Sequence, residues 1–154
     1  IATVRGLFNK MSGTVQYDPA DPSKTLIDVT IETNSINTRI DARDRDLRSP
    51  NWFDVEKFPT ATFKSKKVET AGAGRWKVTG DLTIKGVTRE AVLDVDPPTA
   101  PMKDQRGVER FGTSATTRIN RRDFGVGGSS TVASDDVTIT IDLELMRLPA
   151  TPGS

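Results

Sequence analysis

Charged side chains are concentrated in residues 41–48, where three aspartates alternate with three arginines. Paired carboxylates can act as general acid and base, but the chain contains no histidine and no cysteine, so nothing nearby suggests a nucleophile with its base. A hard cation such as Ca²⁺ also binds carboxylates, yet the glycine and the spacing of an EF-hand loop are absent. Because Asp41, Asp44 and Asp46 are interleaved with arginines, we expect self-neutralising ion pairs on a solvated face rather than a catalytic or metal site.

A glycine-rich run, Gly125-Val126-Gly127-Gly128, is the second segment whose composition suggests ligand binding. A phosphate-binding loop would continue through Lys-Ser or Lys-Thr into a helix, and neither pair follows here. The balance of 22 basic and 21 acidic residues provides no field for a polyanion, which argues against a nucleic-acid partner. We therefore expect no cofactor, no metal and no nucleic acid.

The remaining sequence predicts β-strands. Thr, Val and Ile account for 42 of 154 residues, and β-branched side chains pack well on a pleated surface. Apolar and polar residues alternate with a period of two in six segments: 25–33, 61–66, 76–84, 87–95, 111–119 and 136–145. Such alternation is typical of antiparallel strands with one buried face. It predicts a single all-β domain over residues 1–148, followed by a frayed tail at 149–154.

The N-terminal strand shows a shift of phase. Gly6 and Phe8 are even-numbered, whereas the apolar residues Val15 and Tyr17 are odd-numbered. One extra residue near Ser12-Gly13 would reconcile the two halves, as a β-bulge does where a strand bends. Bent strands of this kind are typical of closed or nearly closed barrels.

One segment, residues 41–56, is predicted to be helical. Its first helix would cover Asp41 to Arg48, and Ser49-Pro50 would begin a second short helix that stops before Pro59. The aromatic side chains of this region form either a ligand entrance or a plug for the base of the barrel, and they are Trp52, Phe53 and Phe58.

Turn residues separate the predicted strands. Lys85-Gly86 has the length of a two-residue hairpin, and its glycine can adopt a positive φ. Residues 97–106 contain three prolines and are expected to form a loop outside the ladder. Residues 125–134 are rich in small side chains and are expected to form a second loop.

The inner face of the predicted barrel is either filled by side chains or open to one ligand. Small residues at several inward positions, including Gly80 and Ala91, favour a cavity because they remove side-chain volume. The apolar positions selected by parity as the lining are Phe8, Val15, Val29, Ile31, Phe63, Trp76, Val78, Leu82, Leu93, Phe111, Ile139 and Ile141.

Several blocks spread over residues 3–147 are more specific than any single motif. They include Val4-Arg5-Gly6-Leu7-Phe8-Asn9, Ser35-Ile36-Asn37-Thr38, Phe53-Asp54-Val55-Glu56-Lys57-Phe58-Pro59, Val78-Thr79-Gly80-Asp81-Leu82-Thr83-Ile84-Lys85-Gly86 and Ile119-Asn120-Arg121-Arg122-Asp123-Phe124-Gly125. In order and spacing they resemble the YceI-like family of bacterial lipid-binding proteins. The resemblance implies a lipocalin-like, extended antiparallel β-barrel of about eight strands that carries a long isoprenoid chain and has no enzymatic activity. It also implies that homodimers occur.

The sequence departs from the family pattern in one strand and at two positions. The additional strand that usually precedes the Val4-Arg5-Gly6 block is not among residues 1–154, so either it lies outside this chain or the barrel is open along one edge. Asp46 occupies the place of a common histidine, and Trp52 stands where phenylalanine is usual. Contacts that the family makes through that histidine are therefore not carried over.

Two functions from different classes follow. The first is noncatalytic binding, with transport or storage, of an isoprenoid lipid such as a polyprenyl compound or isoprenoid quinone, with transient membrane contact. The second is a packed barrel that acts in a stress response by surface recognition, without a ligand. A continuous apolar cavity would favour the first, and its absence would favour the second.

The expected location is the periplasm, with the cytoplasm as the alternative. The first residue is Ile1 rather than Met, the net charge is +1, and the chain lacks cysteine. These features fit an exported domain whose signal peptide has been removed, and the resemblance to exported proteins adds to them. A soluble carrier is useful there because an apolar tail does not cross water unaided.

Overall fold

The structure is a computed structural model and describes residues 5–16, 20–128 and 135–146. Within these ranges the strands are β1 (Arg5–Phe8), β2 (Met11–Gln16), β3 (Leu26–Glu32), β4 (Ile36–Asn37), β5 (Thr60–Thr70), β6 (Trp76–Ile84), β7 (Val87–Val95), β8 (Met102–Lys103), β9 (Glu109–Asn120) and β10 (Asp136–Met146). One α-helix, α1 (Asp41–Arg48), and three single-turn 3₁₀ helices (Pro22–Lys24, Thr33–Ser35, Arg121–Phe124) complete the described part. No helix in the described ranges has the length and apolarity needed to span a membrane. The predicted frayed tail lies outside these ranges.

All strands belong to one sheet with the order β2-β3-β5-β6-β7-β9-β10-β1-β4, and β8 pairs with the outer part of β9. The period-two alternation is confirmed: along β6, side chains at even positions from Val78 to Ile84 are buried. Buried and more exposed residues also alternate along β3, β5 and β7, so one face of the sheet is apolar and encloses the core. The prediction of an all-β fold is therefore confirmed.

The N-terminal strand bends at Asn9-Lys10, and β1 and β2 are its two halves. The predicted bulge at Ser12-Gly13 is wrong, because β2 pairs residue by residue with β3 from Met11 to Gln16. At the bend the Asn9 amide donates to the Ser35 carbonyl at 3.2 Å, and the Glu32 amide donates to the Lys10 carbonyl at 2.9 Å. On either side of the bend the two halves pair with consecutive strands, β1 with β4 and β2 with β3.

This bend brings the sheet back on itself. β1 pairs with β10 on one side and with β4 on the other. The two strands at the ends of this order, β2 and β4, do not pair with each other, so hydrogen bonds do not close the sheet in the described residues. Along the chain, β2 follows β1 after the bend and β4 follows β3. The β1–β10 pairing is parallel, with Arg5 opposite Thr138, so the expectation of purely antiparallel pairing holds for every strand pair described except this one.

The helical segment is shorter than predicted. α1 covers residues 41–48 as expected, but Ser49 ends it by donating its amide to the Asp46 carbonyl. Residues 49–58 then form consecutive turns instead of a second helix. Asp54, at a φ of +51°, receives the Phe58 amide at 2.8 Å, and a left-handed residue at this point prevents a continuous helix.

The turns between strands are largely as predicted. Lys85 and Gly86 connect β6 to β7 with φ values of +53° and +76°, the geometry of a type I′ hairpin. Residues 97–106 do not lie wholly outside the ladder, because Met102 and Lys103 pair with β9. The Thr99 amide also donates to the Gly112 carbonyl at 2.8 Å. Of the second predicted loop, the structure describes residues 125–128 only.

Candidate functional site: the barrel interior and its two ends

A small apolar cavity lies inside the curved sheet. Eleven residues line it: Phe8, Ile31, Phe53, Ala61, Phe63, Leu82, Ile84, Leu93, Thr117, Ile139 and Ile141. Its volume is about 10 Å³, roughly the minimum that accommodates one water molecule. In this conformation the interior is filled by side chains, and an isoprenoid chain would require it to expand.

The predicted lining residues fall into four groups. Seven of the twelve line the cavity, namely Phe8, Ile31, Phe63, Leu82, Leu93, Ile139 and Ile141. Val29 and Val78 are buried in the core without reaching the cavity, and Trp76 and Phe111 are half-buried. Val15 pairs with Ile27 on the inner face of the sheet, as predicted, but it is 40% exposed and does not reach the cavity. Met11 of β2 packs against the core, whereas Val15 lies farther along this strand, which is at one end of the sheet order.

Two further residues on the predicted inner face line the cavity, although they are not among the twelve predicted lining residues. Ile84 continues the inward series of β6, and Thr117 continues the inward series of β9. Thr117 was passed over because its side chain is polar. Ala61, a small residue on the inner face of β5, also lies in the cavity wall.

Small residues on the inner face make room for neighbouring side chains. A Cβ atom on Gly80 would lie 2.7 Å from Cζ of Phe63 and 2.3 Å from the Lys64 carbonyl oxygen. The Phe63 ring, which is 1% exposed, therefore occupies the space that the glycine leaves. This explains why the larger cavity expected from the small residues is absent from the described part of the interior.

Aromatic side chains seal one end of the interior, which we call the closed end. Phe53 packs edge-to-face on Phe8 with ring centroids 5.7 Å apart, and both rings line the cavity. Phe124 and Val126, from the segment after β9, are buried beside them. Of the predicted entrance residues, Phe53 thus lies at the bottom of the interior as a plug would.

Trp52 forms a second layer of this end. The Arg121 guanidinium carbon lies 5.4 Å from the centre of the Trp52 ring, a cation–π contact. Arg121 is 1% exposed, and its Nη1 donates to the Val126 carbonyl oxygen at 3.0 Å. Phe58, the third predicted entrance residue, packs instead beside Gly86 of the β6–β7 hairpin.

Hydrogen bonds to main-chain oxygens fasten the closed end. Lys85 Nζ donates to the Pro50 carbonyl at 2.8 Å and to the Gly125 carbonyl at 3.2 Å. The Gly127 amide donates to the Asn51 carbonyl at 2.8 Å. These contacts join three separate chain segments, so the turn that carries Trp52 and Phe53 is held from two sides.

Three charged side chains of α1 bind residues of the preceding segment 34–38. Asp44 is buried and accepts the Thr38 amide at 2.9 Å. Arg43 donates to Thr38, and Arg48 donates to the carbonyls of Asn34 and Ile36. No ion pair joins two residues of this described segment 41–48, so the expected self-neutralising pairs are wrong; Arg43, Asp44 and Arg48 bind residues 34–38 instead.

The opposite end is packed more loosely, and we call it the open end. Trp76, Val95, Phe111 and Leu143 lie there and are half-buried. A shallow groove of about 240 Å³ borders Phe111. Asp104 accepts from Arg110 Nε at 2.9 Å and from the amides of Arg106 and Val108, and the Arg110 bond is the main cause that holds the pKa of this carboxyl below its usual range.

Comparisons with known proteins agree with this architecture. A family model for the YceI-like domain matches residues 1–145. A UPF0312 protein of Vibrio cholerae is 38% identical over 132 residues, which is 84% of this chain and 69% of that protein. The crystal structure of a Campylobacter jejuni YceI protein superposes with a TM-score of 0.80 at 35% identity, covering 97% of this chain and 88% of that one.

A more distant structure shares the fold. It is a polyisoprenoid binding domain from Saccharophagus degradans, implicated in plant cell wall breakdown. The TM-score is 0.53 at 21% identity, with 90% of this chain and 82% of that chain covered. At this identity the likeness supports the architecture alone.

Proposed function

Because this chain belongs to the YceI-like domain family, we propose that it binds a long isoprenoid lipid noncatalytically inside its barrel, for transport or storage. The observation that carries the proposal is the wall of the interior cavity, where ten of eleven residues are apolar. A wall of this composition accepts a hydrocarbon chain and offers few polar partners to anything else.

Energetics favour such a ligand once the interior opens. Each buried CH₂ group contributes about 0.8 kcal/mol, so even a partly enclosed prenyl chain binds strongly. The present cavity of about 10 Å³ requires side chains to move first. Trp52 and Phe53 are carried by a turn rather than by the ladder, and we propose that this turn is the entrance.

A second candidate function is favoured by the same cavity volume. An interior filled to within about 10 Å³ is what a ligand-free barrel acting by surface recognition would have. The two functions differ in one measurable property, which is whether the interior expands around a lipid.

Extraction and uptake distinguish the two. The protein is purified from its own host, denatured and extracted with organic solvent, and the extract is analysed by mass spectrometry. A carrier releases a prenyl lipid and takes up added isoprenoid quinone. Repeatedly empty protein that also fails to take up the quinone would leave surface recognition as the better function.

The entrance has its own test. Trp52→Ala and Phe53→Ala should accelerate both uptake and release of a fluorescent prenyl probe in stopped-flow measurements, because each removes an aromatic ring between cavity and solvent. Phe58→Ala, which alters the neighbouring hairpin, is the matched control and should leave both rates near wild type. Unchanged exchange in the first two variants, accompanied by a large loss of stability, would identify a static plug.

We also propose that the protein works in the periplasm, where a water layer separates two membranes and a lipid tail needs a carrier. Fractionation of cells that express the full reading frame measures this directly. Recovery from the cytosol with an intact initiator Met would exclude it.

A further inference from the structure

One polar side chain interrupts the apolar wall of the cavity. Thr117 lies in β9 opposite Ile139 of β10, and the residue is 3% exposed. Among the residues that the structure describes, its hydroxyl oxygen has no hydrogen-bond partner. Its cavity neighbours, which include Phe53 and Ile139, are apolar and offer it none.

An unpartnered buried hydroxyl is unusual because folding removes its water without replacing the hydrogen bond. Valine has nearly the same shape and would occupy this position without that loss. Packing alone therefore gives no reason for threonine at this position. The Thr117 hydroxyl can form a hydrogen bond that no described residue of the protein provides.

A hydroxyl both donates and accepts, so a carbonyl or a hydroxyl oxygen on a ligand would satisfy it. We propose that Thr117 is the polar anchor of the lipid site and that the ligand is an oxygenated isoprenoid, held by its oxygen atom. This inference rests on the proposed lipid binding and adds the class of ligand and its orientation.

The orientation follows from where Thr117 lies in its strand. It is near the closed end, beside Phe8 and Phe53, whereas Phe111 marks the open end of the same strand. Six residues separate the two positions, and at about 3.3 Å per residue this gives roughly 20 Å of strand. The oxygen of the ligand is thus bound below the aromatic seal, and the tail extends toward Trp76 and Phe111.

The test compares two probes of equal carbon number, farnesol with a hydroxyl and farnesene without one. Affinities are measured by displacement of an apolar fluorescent dye from the full chain. Thr117→Val should lower the farnesol-to-farnesene affinity ratio about three- to tenfold, as expected for loss of one hydrogen bond, while farnesene binding stays near wild type. Thr117→Ser retains the hydroxyl and should retain the ratio.

Thr25→Val is the matched control. Thr25 is also 3% exposed and its hydroxyl also lacks a partner in the described chain, but it does not line the cavity. This variant should leave the affinity ratio unchanged. A fall of the ratio in Thr25→Val equal to that in Thr117→Val would overturn the assignment, because it would show a general effect on the barrel.

The remaining outcomes separate this inference from the proposed function. If the wild type binds both probes and Thr117→Val keeps the wild-type ratio, the anchor is refuted and lipid binding stands. If the wild type binds neither probe, nor a short-tailed isoprenoid quinone, both are refuted. Should Thr117→Val fail to fold, Thr117→Ala and Thr117→Ser differ only in the hydroxyl, and equal ratios in these two would refute the anchor.

Discussion

The closed and open ends of the barrel are stabilised by different kinds of interaction. At the closed end, the buried rings of Phe8 and Phe53 are backed by Trp52 on Arg121, and main-chain hydrogen bonds fasten the covering turn. At the open end, half-buried side chains are bordered by ion pairs such as Asp104–Arg110. The closed end should therefore contribute stability through packing, whereas the open end should depend on solution conditions.

The largest difference between the ends is expected from removing one aromatic ring at each. Phe53→Ala should lower the free energy of unfolding by about 3–5 kcal/mol, the usual loss for a buried phenylalanine. Phe111→Ala should lower it by about 1–2 kcal/mol, because less apolar area is withdrawn from water. Urea denaturation followed by circular dichroism measures both. Equal losses would show that the two ends are packed alike.

A smaller difference is expected from two glycines that share a left-handed conformation. A Cβ on Gly127 (φ +77°) would lie 2.6 Å from the Trp52 ring and 2.5 Å from Arg121 Nη1, whereas a Cβ on Gly107 (φ +80°) meets nothing within 4 Å. Gly127→Ala should cost about 3 kcal/mol, from overpacking and backbone strain together. Gly107→Ala should cost about 1 kcal/mol, from strain alone. A similar midpoint of denaturation for the two variants would argue against the close packing at the closed end.

The smallest effect concerns pH at the open end. The pKa of Asp104 is lower in the folded protein, first because Arg110 donates to it, so its stabilising effect is complete above about pH 3.9, the usual unfolded value. That effect is lost as the pH falls through the lowered pKa. The Tm difference between wild type and Asp104→Asn should therefore be constant from pH 7 to 5 and shrink below pH 4. An undiminished difference at pH 3 would contradict this assignment.

Alternation of apolar and polar residues was sufficient to predict most strands and the buried face. In a half-buried antiparallel sheet, apolar residues lie on the buried face and polar residues on the face toward solvent. The N-terminal strand was the exception. The irregularity that its phase shift predicted near Ser12-Gly13 lies instead at Asn9-Lys10, where the bonds to Ser35 and Glu32 come from a distant part of the chain. The shift of phase signalled that the strand is irregular, but the position of the bend depends on those distant partners.

The volume of the interior could not be predicted from residue sizes either. Gly80 suggested empty space, yet the Phe63 ring from the neighbouring strand fills it. Similarly, the charges of Arg43 and Asp44 suggested mutual pairing, and both instead bind Thr38. In each case the outcome depends on a contact with a residue elsewhere in the chain, Phe63 in the first and Thr38 in the second. The pattern of residues within a single segment does not predict such contacts.

The parallel pairing of β1 with β10 also constrains how the protein folds. Arg5 lies opposite Thr138, so about 130 residues must be synthesised and arranged before this contact forms. The entropy lost on closing so long a loop is recovered only after the intervening hairpins exist, which predicts that joining the first strand to the last is a late step. Until then both strands expose unpaired backbone, and a chain arrested at this stage is open to strand exchange with a second copy.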